Sequence, residues 1–457
     1  MASSISSLSS QVKPSDQTKT WALEAEQEFR LEVDFNAAVI LRLVSGTAEV
    51  FGAELGAGTS YHFSGQKAAV FTWHGCTLEI QGQCNVEYVA GETPMASYLN
   101  LHTVLEQQRA NVPLLPTDSS TGSSSATSFG PNVMLIGPTD AGKTSLAKIL
   151  LNYAYRHGHR PLFVNLDPAE GSIVMPGTVS AAPIEHIIDP EDELDSISLD
   201  KTGQVSTPLC YHYGFPAITE NPKLYGLLTA KLAQSVQARL AQNHMARRAG
   251  CIIDTGGVID PAHYDLLRDC ITDLKVNIVV VLGHERLYSD MQKMYAQSGT
   301  VTVVKLAKSG GVVNRDKDFM RRCQLRTIRK YFYGSSPQAE YSPFSTIAYY
   351  QDLKIYRVED SIAPTSALPI GLDRKVSETR IVPMEPNLGL IHSILSVSSL
   401  DATEDESQLL ESNVAGFVYV SALDEKKAKK KMTLLAPFPG RLPRKYLLYS
   451  MFNWMEM

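Results

Sequence analysis

The chain has 457 residues, 44% hydrophobic and 20% charged, which is material for two or three globular domains. Its net charge of −6 argues against a nonspecific nucleic-acid coat protein while leaving a local basic groove open. Six scattered cysteines without a C-x-x-C pair favour buried free thiols over disulfides or zinc. No window approaches the about 18–20 uninterrupted apolar residues of a membrane span. The N-terminal MASSISSLSSQVKPSDQ lacks the apolar core of a secretory signal, so a soluble, intracellular chain without membrane contact is expected.

Residues 1–20 are Ser-rich and polar, which predicts disorder. From Trp21 to about residue 110, short alternating runs such as FRLEVD, VILRLV, AAVFTW and TLEIQG are separated by glycines. That pattern predicts a β-sandwich-like domain, closed by a helix from Met95 to Arg109. Residues 111–130 read as a Pro/Ser/Gly/Thr linker. A second domain, 131–335, opens with VMLIGPTDAGKTSLAKILL, Val133 to Leu151. Here a buried strand, a G-x-x-x-x-G-K-T loop and a helix follow one another, the context of a phosphate-binding loop. Gly137 and Gly142 let successive N–H groups face an anion, and the helix adds its positive end. Lys143 is a point charge for the outer phosphates, and the Thr144 hydroxyl is a Mg²⁺ ligand.

Further strands are expected at 161–167, 250–254, 276–283 and 300–306, with a long irregular, proline-containing stretch after Asp167. Helices are expected at Leu224 to Asn243 and at about 262–274. Near-continuous apolar strands alternating with helices predict an α/β domain with a parallel sheet covered on both faces. The basic segment 315–334 reads as a helix, either a solvated face or a lid carrying arginines to phosphates. From residue 336 to 457 the pattern returns to a mixed, mostly β domain. The run TEDES (403–407) is expected as a solvated loop. DEKKAKKK (424–431) is expected as an exposed hairpin tip, with an import patch or an RNA contact as the alternatives.

Two aspartates close apolar strands where such a fold faces its phosphates. Asp254 is in the position of the acid that holds Mg²⁺ through water. Asp167 is placed to accept a proton from an attacking hydroxyl. Either equally serves as a cap for the turn that follows. No N-K-x-D base-reading motif follows a later strand, which disfavours a GTPase.

The segments GPTDAGKTS, LDPAEGSIVMPGT, KLY (223–225), GCIIDTGG, VVVLGHERLY, SGGVVNRDKDF, IRKYFYG, NVAGF and PFPGRLP occur in order from the second domain to the C-terminal one. Together they resemble the Clp-type polynucleotide 5′-hydroxyl-kinase-like subunit of the pre-mRNA cleavage factor, in its fungal-type variant. The resemblance runs from about Trp21 to the C-terminus. It implies a nuclear ATP·Mg²⁺-binding subunit of mRNA 3′-end cleavage and polyadenylation. Its implied partners are a scaffold subunit that contacts the RNA polymerase II tail, other cleavage and polyadenylation factors, and RNA as a further contact. Carried over by motif, Asp140, Ala141, Gly142, Lys143, Thr144 and Ser145 are the phosphate cradle, and Glu28 and Lys67 are adenine or ribose contacts.

The chain departs from the active kinases of that family in three places. They read D-V-G-Q-G where this chain has Asp167-Pro168-Ala169-Glu170-Gly171. A tryptophan platform is replaced by Val258, and two lid arginines by Met320 and Gln324; Arg321, Arg322 and Arg326 remain as partial substitutes. Loss of one transition-state donor costs about 10²–10³ in rate. The expectation is therefore an ATP-bound interaction module with Asp167 as a vestigial base; the alternative is an active RNA 5′-hydroxyl kinase.

Overall fold

The computed structural model describes residues 17–113, 129–191, 198–199, 205–334, 342–361, 378–400, 406–424, 430–440, 442 and 444–455. Most of the expected N-terminal disorder, most of the 111–130 linker, and positions 403–405 and 425–429 of the two charge runs lie outside them.

The chain is α/β with a central parallel sheet between two β-rich parts. In the centre, strands Leu162–Leu166, Cys251–Thr255, Asn132–Ile136, Ile278–Leu282 and Thr302–Leu306 run parallel in that spatial order. The four strands from Leu162 to Leu282 are buried along their whole length, as their near-continuous apolar runs require of strands covered on both faces. Register brings Leu135 beside both Asp254 and Val280, and Asn165 beside Asp254. The C-terminal ends of three strands therefore open on one crevice, at the start of helix Lys143–Arg156.

The stretch after Asp167, expected to be irregular, contains four strands: Ser198–Leu199 and Val205–Ser206 pair with each other, and the other two extend the central sheet. Thr178–Pro183 and Leu209–His212 add antiparallel to the Leu162–Leu166 edge. Pro183 is tolerated because it pairs with Leu162 beyond the last pair with the outer strand, Ala181 with Leu209, so its missing N–H breaks no ladder. The chain also becomes ordered earlier than composition suggests. Strand Thr18–Leu23 pairs antiparallel with Cys76–Gln81, from residues that read as a polar tail.

The N-terminal part is a sandwich of a four-stranded and a five-stranded sheet, whose facing side chains (Phe29, Leu31, Leu41, Val70, Leu78, Ile80) are buried. It rests on the central part through Phe51, whose carbonyl accepts from Asn152 Nδ2 at 2.9 Å. The following helix, Met95–Ala110, packs Tyr98, Leu101 and Leu105 into the same core as Leu146, Ile149 and Leu150 of the phosphate-loop helix. The C-terminal part is a seven-stranded sheet, antiparallel except where Lys354–Ser361 pairs parallel with Tyr446–Asn453. It docks through His212, which accepts from Ser396 Oγ (2.7 Å) and donates to the Tyr449 carbonyl (3.1 Å). Helix Lys317–Tyr333 packs on it as well, with Phe332 stacked on Trp454 and Tyr331 Oη accepting the Phe417 N–H at 3.0 Å.

Candidate functional site

The loop between strand Asn132–Ile136 and helix Lys143–Arg156 has the backbone its glycines allow. Gly142 sits at φ 89° and Gly137 at φ 153°; a Cβ on Gly137 would fall 2.6 Å from the Leu282 carbonyl oxygen. Asp140 also takes a positive φ of 55°. Residues 139–145 line a cavity of about 440 Å³. Its other walls are Glu28, Lys67 and Tyr98 of the N-terminal part, Asp167 and Glu170, the Gly256-Gly257 turn, and Arg315, Met320 and Arg326.

Within it, Lys143 Nζ donates to the Pro138 carbonyl (2.7 Å) and more weakly to that of Gly137 (3.3 Å). Thr144 Oγ1 donates to Asp254 Oδ2 at 2.6 Å and stands 3.3 Å from Glu170 Oε2. Asp254 is 1% exposed, and its other oxygen, Oδ1, is buried without a hydrogen-bond partner. Burial raises the Asp254 carboxyl to about 7, with Glu170 adding to the rise and Lys143 opposing it. Burial and Glu170 likewise raise Asp167, whose Oδ1 accepts the Ala169 N–H at 2.9 Å. Three carboxylates thus crowd one lysine and one hydroxyl, an arrangement that a divalent cation would relieve. The orphaned Asp254 oxygen beside Thr144 fits Mg²⁺ held by the hydroxyl and, through water, by the carboxylate.

The side chain that reading the sequence undervalued is Arg315. It counted there as one charge of a basic helix, yet it precedes the helix, which begins at Lys317 with Asp316 as its N-cap. Its backbone N–H and Nε both donate to Asp140 (2.9 and 2.6 Å), and its other arm reaches Glu170 Oε1 at 2.5 Å. Only the three-dimensional proximity of 140, 170 and 315 reveals this bridge. The expected lid arginines are engaged by the N-terminal sandwich, although Arg326 also lines the cavity. Arg322 approaches Asp34 at 3.6 Å, and Arg326 donates to the Ser64 and Gly65 carbonyls (2.8 and 3.1 Å). Both lie over the ring of Phe35. Gln324, at a position where the resembled kinases carry arginine, donates to the Ala169 carbonyl at 2.9 Å.

At the other end, Glu28 is buried and held by Arg30 Nε (2.6 Å) and Thr93 Oγ1 (2.7 Å). Lys67 pairs with Glu32 at 2.7 Å and lies over the Phe319 ring. Arg30 extends the pairing to Glu92 and, at 3.5 Å, to Ser309, so the sandwich contacts the loop preceding the lid helix. Val258 is buried in the apolar core and offers no stacking platform.

A strand–glycine loop–helix unit, a carboxylate on the neighbouring strand and an arginine-bearing helix beyond the fifth strand define a P-loop nucleotide-binding protein of the kinase type. Three family models match in succession: an N-terminal β-sandwich domain of polyadenylation factor over residues 22–112, the P-loop of mRNA cleavage and polyadenylation factor CLP1 over 137–334, and pre-mRNA cleavage complex II protein Clp1 over 341–456. The chain is 37% identical to the mRNA cleavage and polyadenylation factor clp1 of Botryotinia fuckeliana, over 96% of this chain and 94% of that one. It is 38% identical to the human polyribonucleotide 5′-hydroxyl-kinase Clp1, over 96% and 97%. A solved structure describing an extended interface between Pcf11p and Clp1p, and ATP loss in a point mutant, matches with a TM-score of 0.83. It is 26% identical and covers 96% of this chain and 100% of its own. The chain belongs to the Clp1 family.

Proposed function

We propose that this chain is a nuclear, ATP-holding interaction subunit of mRNA 3′-end cleavage and polyadenylation, with little or no kinase activity. The observation that carries the reading is the Asp140–Arg315–Glu170 bridge. A carboxylate stands where active kinases of the family present an amide donor, and the nearest arginine is spent on it. Glu170 adds charge beside the phosphates, and Arg322 and Arg326 brace the N-terminal sandwich. In this reading residues Asp140 to Ser145 cradle the phosphates, Thr144 and Asp254 hold Mg²⁺, and Glu28 and Lys67 face the nucleoside end. Bound Mg²⁺ would neutralise phosphate charge among the three carboxylates. Asp167 is then a vestigial base.

ATP touching both the sandwich and the central part would weld them; a ligand at 100 times its dissociation constant adds about 2.7 kcal/mol of stability. The solved relative forms an interface with Pcf11p and is described through its loss of ATP. By analogy the partner here is a scaffold subunit of that kind, which contacts the RNA polymerase II tail. Two measurements test the proposal. Lys143→Ala and Thr144→Ala are expected to lower the melting temperature and weaken scaffold capture, and unchanged values in both variants with nucleotide stripped would sink it. γ-Labelled ATP with a 5′-hydroxyl RNA is expected to give no transfer. Clear transfer that Asp167→Asn abolishes would instead establish the second reading, an RNA 5′-hydroxyl kinase. That reading draws on the mammalian relatives' name and on Asp167 lining the cavity.

A further inference from the structure

About 21 Å from the phosphate loop, at the other end of its 14-residue helix, lies a second polar cluster. His102 and Glu106 are four residues apart and share a face of helix Met95–Ala110. His157 follows directly on the last residue of helix Lys143–Arg156. One donor atom from each of these three residues lies within 4.8 Å of the other two.

His102 is 3% exposed, yet neither of its ring nitrogens has a hydrogen-bond partner. Glu106 Oε1 stands 3.7 Å from Nε2, too far to bond. Buried polar side chains are nearly always paired, so an imidazole with both nitrogens orphaned calls for a missing partner. Glu106 meanwhile is already aimed: Arg109 donates to Oε1 at 2.6 Å, and His159 Nε2 lies 3.0 Å from Oε2. Arg109 is itself fixed by the Ala249 carbonyl at 3.0 Å. Outer partners of this kind orient ligating carboxylates. Gly158, at φ 85° with open space where a Cβ would stand, turns the chain so that His157 and His159 flank one corner of the cluster.

We propose that His102, Glu106 and His157 bind a zinc-class divalent cation that clamps helix Met95–Ala110 to the C-terminal end of the phosphate-loop helix. Two imidazoles and a carboxylate are the donors zinc takes, whereas Mg²⁺ and Ca²⁺ prefer oxygen alone. Tetrahedral bonds of about 2.1 Å space the donors about 3.4 Å apart. The His157 ring is exposed, so its rotation would bring its donor closer and its side of the cluster is open to solvent. His159 remains the outer partner of Glu106 Oε2, and water would complete the coordination. The cation would sit among Arg109, His159 and Tyr153, sharing Glu106 with Arg109 rather than displacing it.

The test uses the tag-free full-length chain, stripped of metal and titrated with Zn²⁺ by calorimetry and with Co²⁺ by visible absorption. One equivalent is expected, with a cobalt band and a melting temperature that rises with Zn²⁺ concentration. His157→Ala, an exposed position that leaves the core intact, is expected to lose the band and at least tenfold in affinity while nucleotide binding is unchanged. Glu106→Gln is expected to weaken the site similarly. His244→Ala, an exposed histidine elsewhere on the surface, is expected to bind like wild type. Equal metal binding by wild type and His157→Ala, or no stoichiometric binding by wild type, overturns the proposal.

Discussion

Glu170→Gln probes the reasoning about the phosphate site most directly. Glu170 Oε1 takes one arm of Arg315, and Oε2 lies 3.3 Å from Thr144, the hydroxyl that opens the phosphate-loop helix. A phosphate at that helix end therefore sits roughly 6 Å from the carboxylate; with an effective dielectric near 20 the repulsion is about 3 kcal/mol. Replacing the carboxylate with an amide removes it. The Arg315 contact does not oppose this: if it breaks when nucleotide binds, its loss no longer favours the empty state, and if it persists it cancels. ATP affinity without Mg²⁺ should thus rise by about 10- to 100-fold, equivalent to about 1.4–3 kcal/mol. With Mg²⁺ present, the cation already screens the carboxylate and the gain should shrink. Displacement of a fluorescent ATP analogue, in chelator and then in Mg²⁺, measures both. No gain in chelator would mean that Glu170 does not face the phosphates, and the account of a carboxylate-blocked site would fail.

Other consequences are sharper in geometry than in energy. A Cβ at Gly257 would stand 2.1 Å from Thr139 Oγ1 and 2.6 Å from its nitrogen, whereas at Gly256 nothing comes nearer than 3.8 Å. Gly257→Ala should cost at least tenfold in nucleotide affinity by equilibrium binding, and Gly256→Ala less than about threefold; equal effects would refute the contact argument. Tyr331→Phe leaves the buried Phe417 N–H without an acceptor, so chemical denaturation should show a loss of about 1–3 kcal/mol. Burial lowers His212 from 6.5 to about 4. Its stabilising contribution is full above about pH 6.5 and is lost as pH falls towards 4, about 3 kcal/mol by linkage. The melting temperature of His212→Gln should then fall less steeply than that of wild type between pH 7 and pH 4.5, and parallel curves would argue against it.

What could be read in the sequence follows from how local each signal is. The phosphate loop, its helix and the five parallel strands are written in contiguous residues: two glycines at fixed spacing, then apolar runs too short for helices. The 16-residue helix after the sandwich was visible in Leu101 and Leu105. The strands Thr178–Pro183 and Leu209–His212 were not, because each is short, one ends in proline, and both depend on an edge 15 or more residues away. The bridge from Asp140 to Arg315 to Glu170 spans 175 residues and has no local pattern. Neither has the cluster of His102, Glu106 and His157, where one helix supplies two donors and the end of another supplies the third.

The helix Lys317–Tyr333 bears on the proposal that the phosphate loop here serves no kinase. Lid closure requires a helix free to bring its cations over the phosphates. Here the helix is held at both ends. Towards its start, Phe319 packs edge-on against Phe35, which also lies beneath Arg322 and Arg326. At its end, Ile328, Tyr331 and Phe332 are buried against the C-terminal sheet. Opening it would expose those rings and break the Tyr331–Phe417 bond together with the Arg326 contacts to Ser64 and Gly65. Each is a modest interaction, but all would be lost in one motion, and the cost of opening is their sum. A segment placed to be a moving lid is thereby a brace between the sandwich and the C-terminal sheet. Under the proposed function, nucleotide beneath it would reinforce the same junction and so act as a structural ligand.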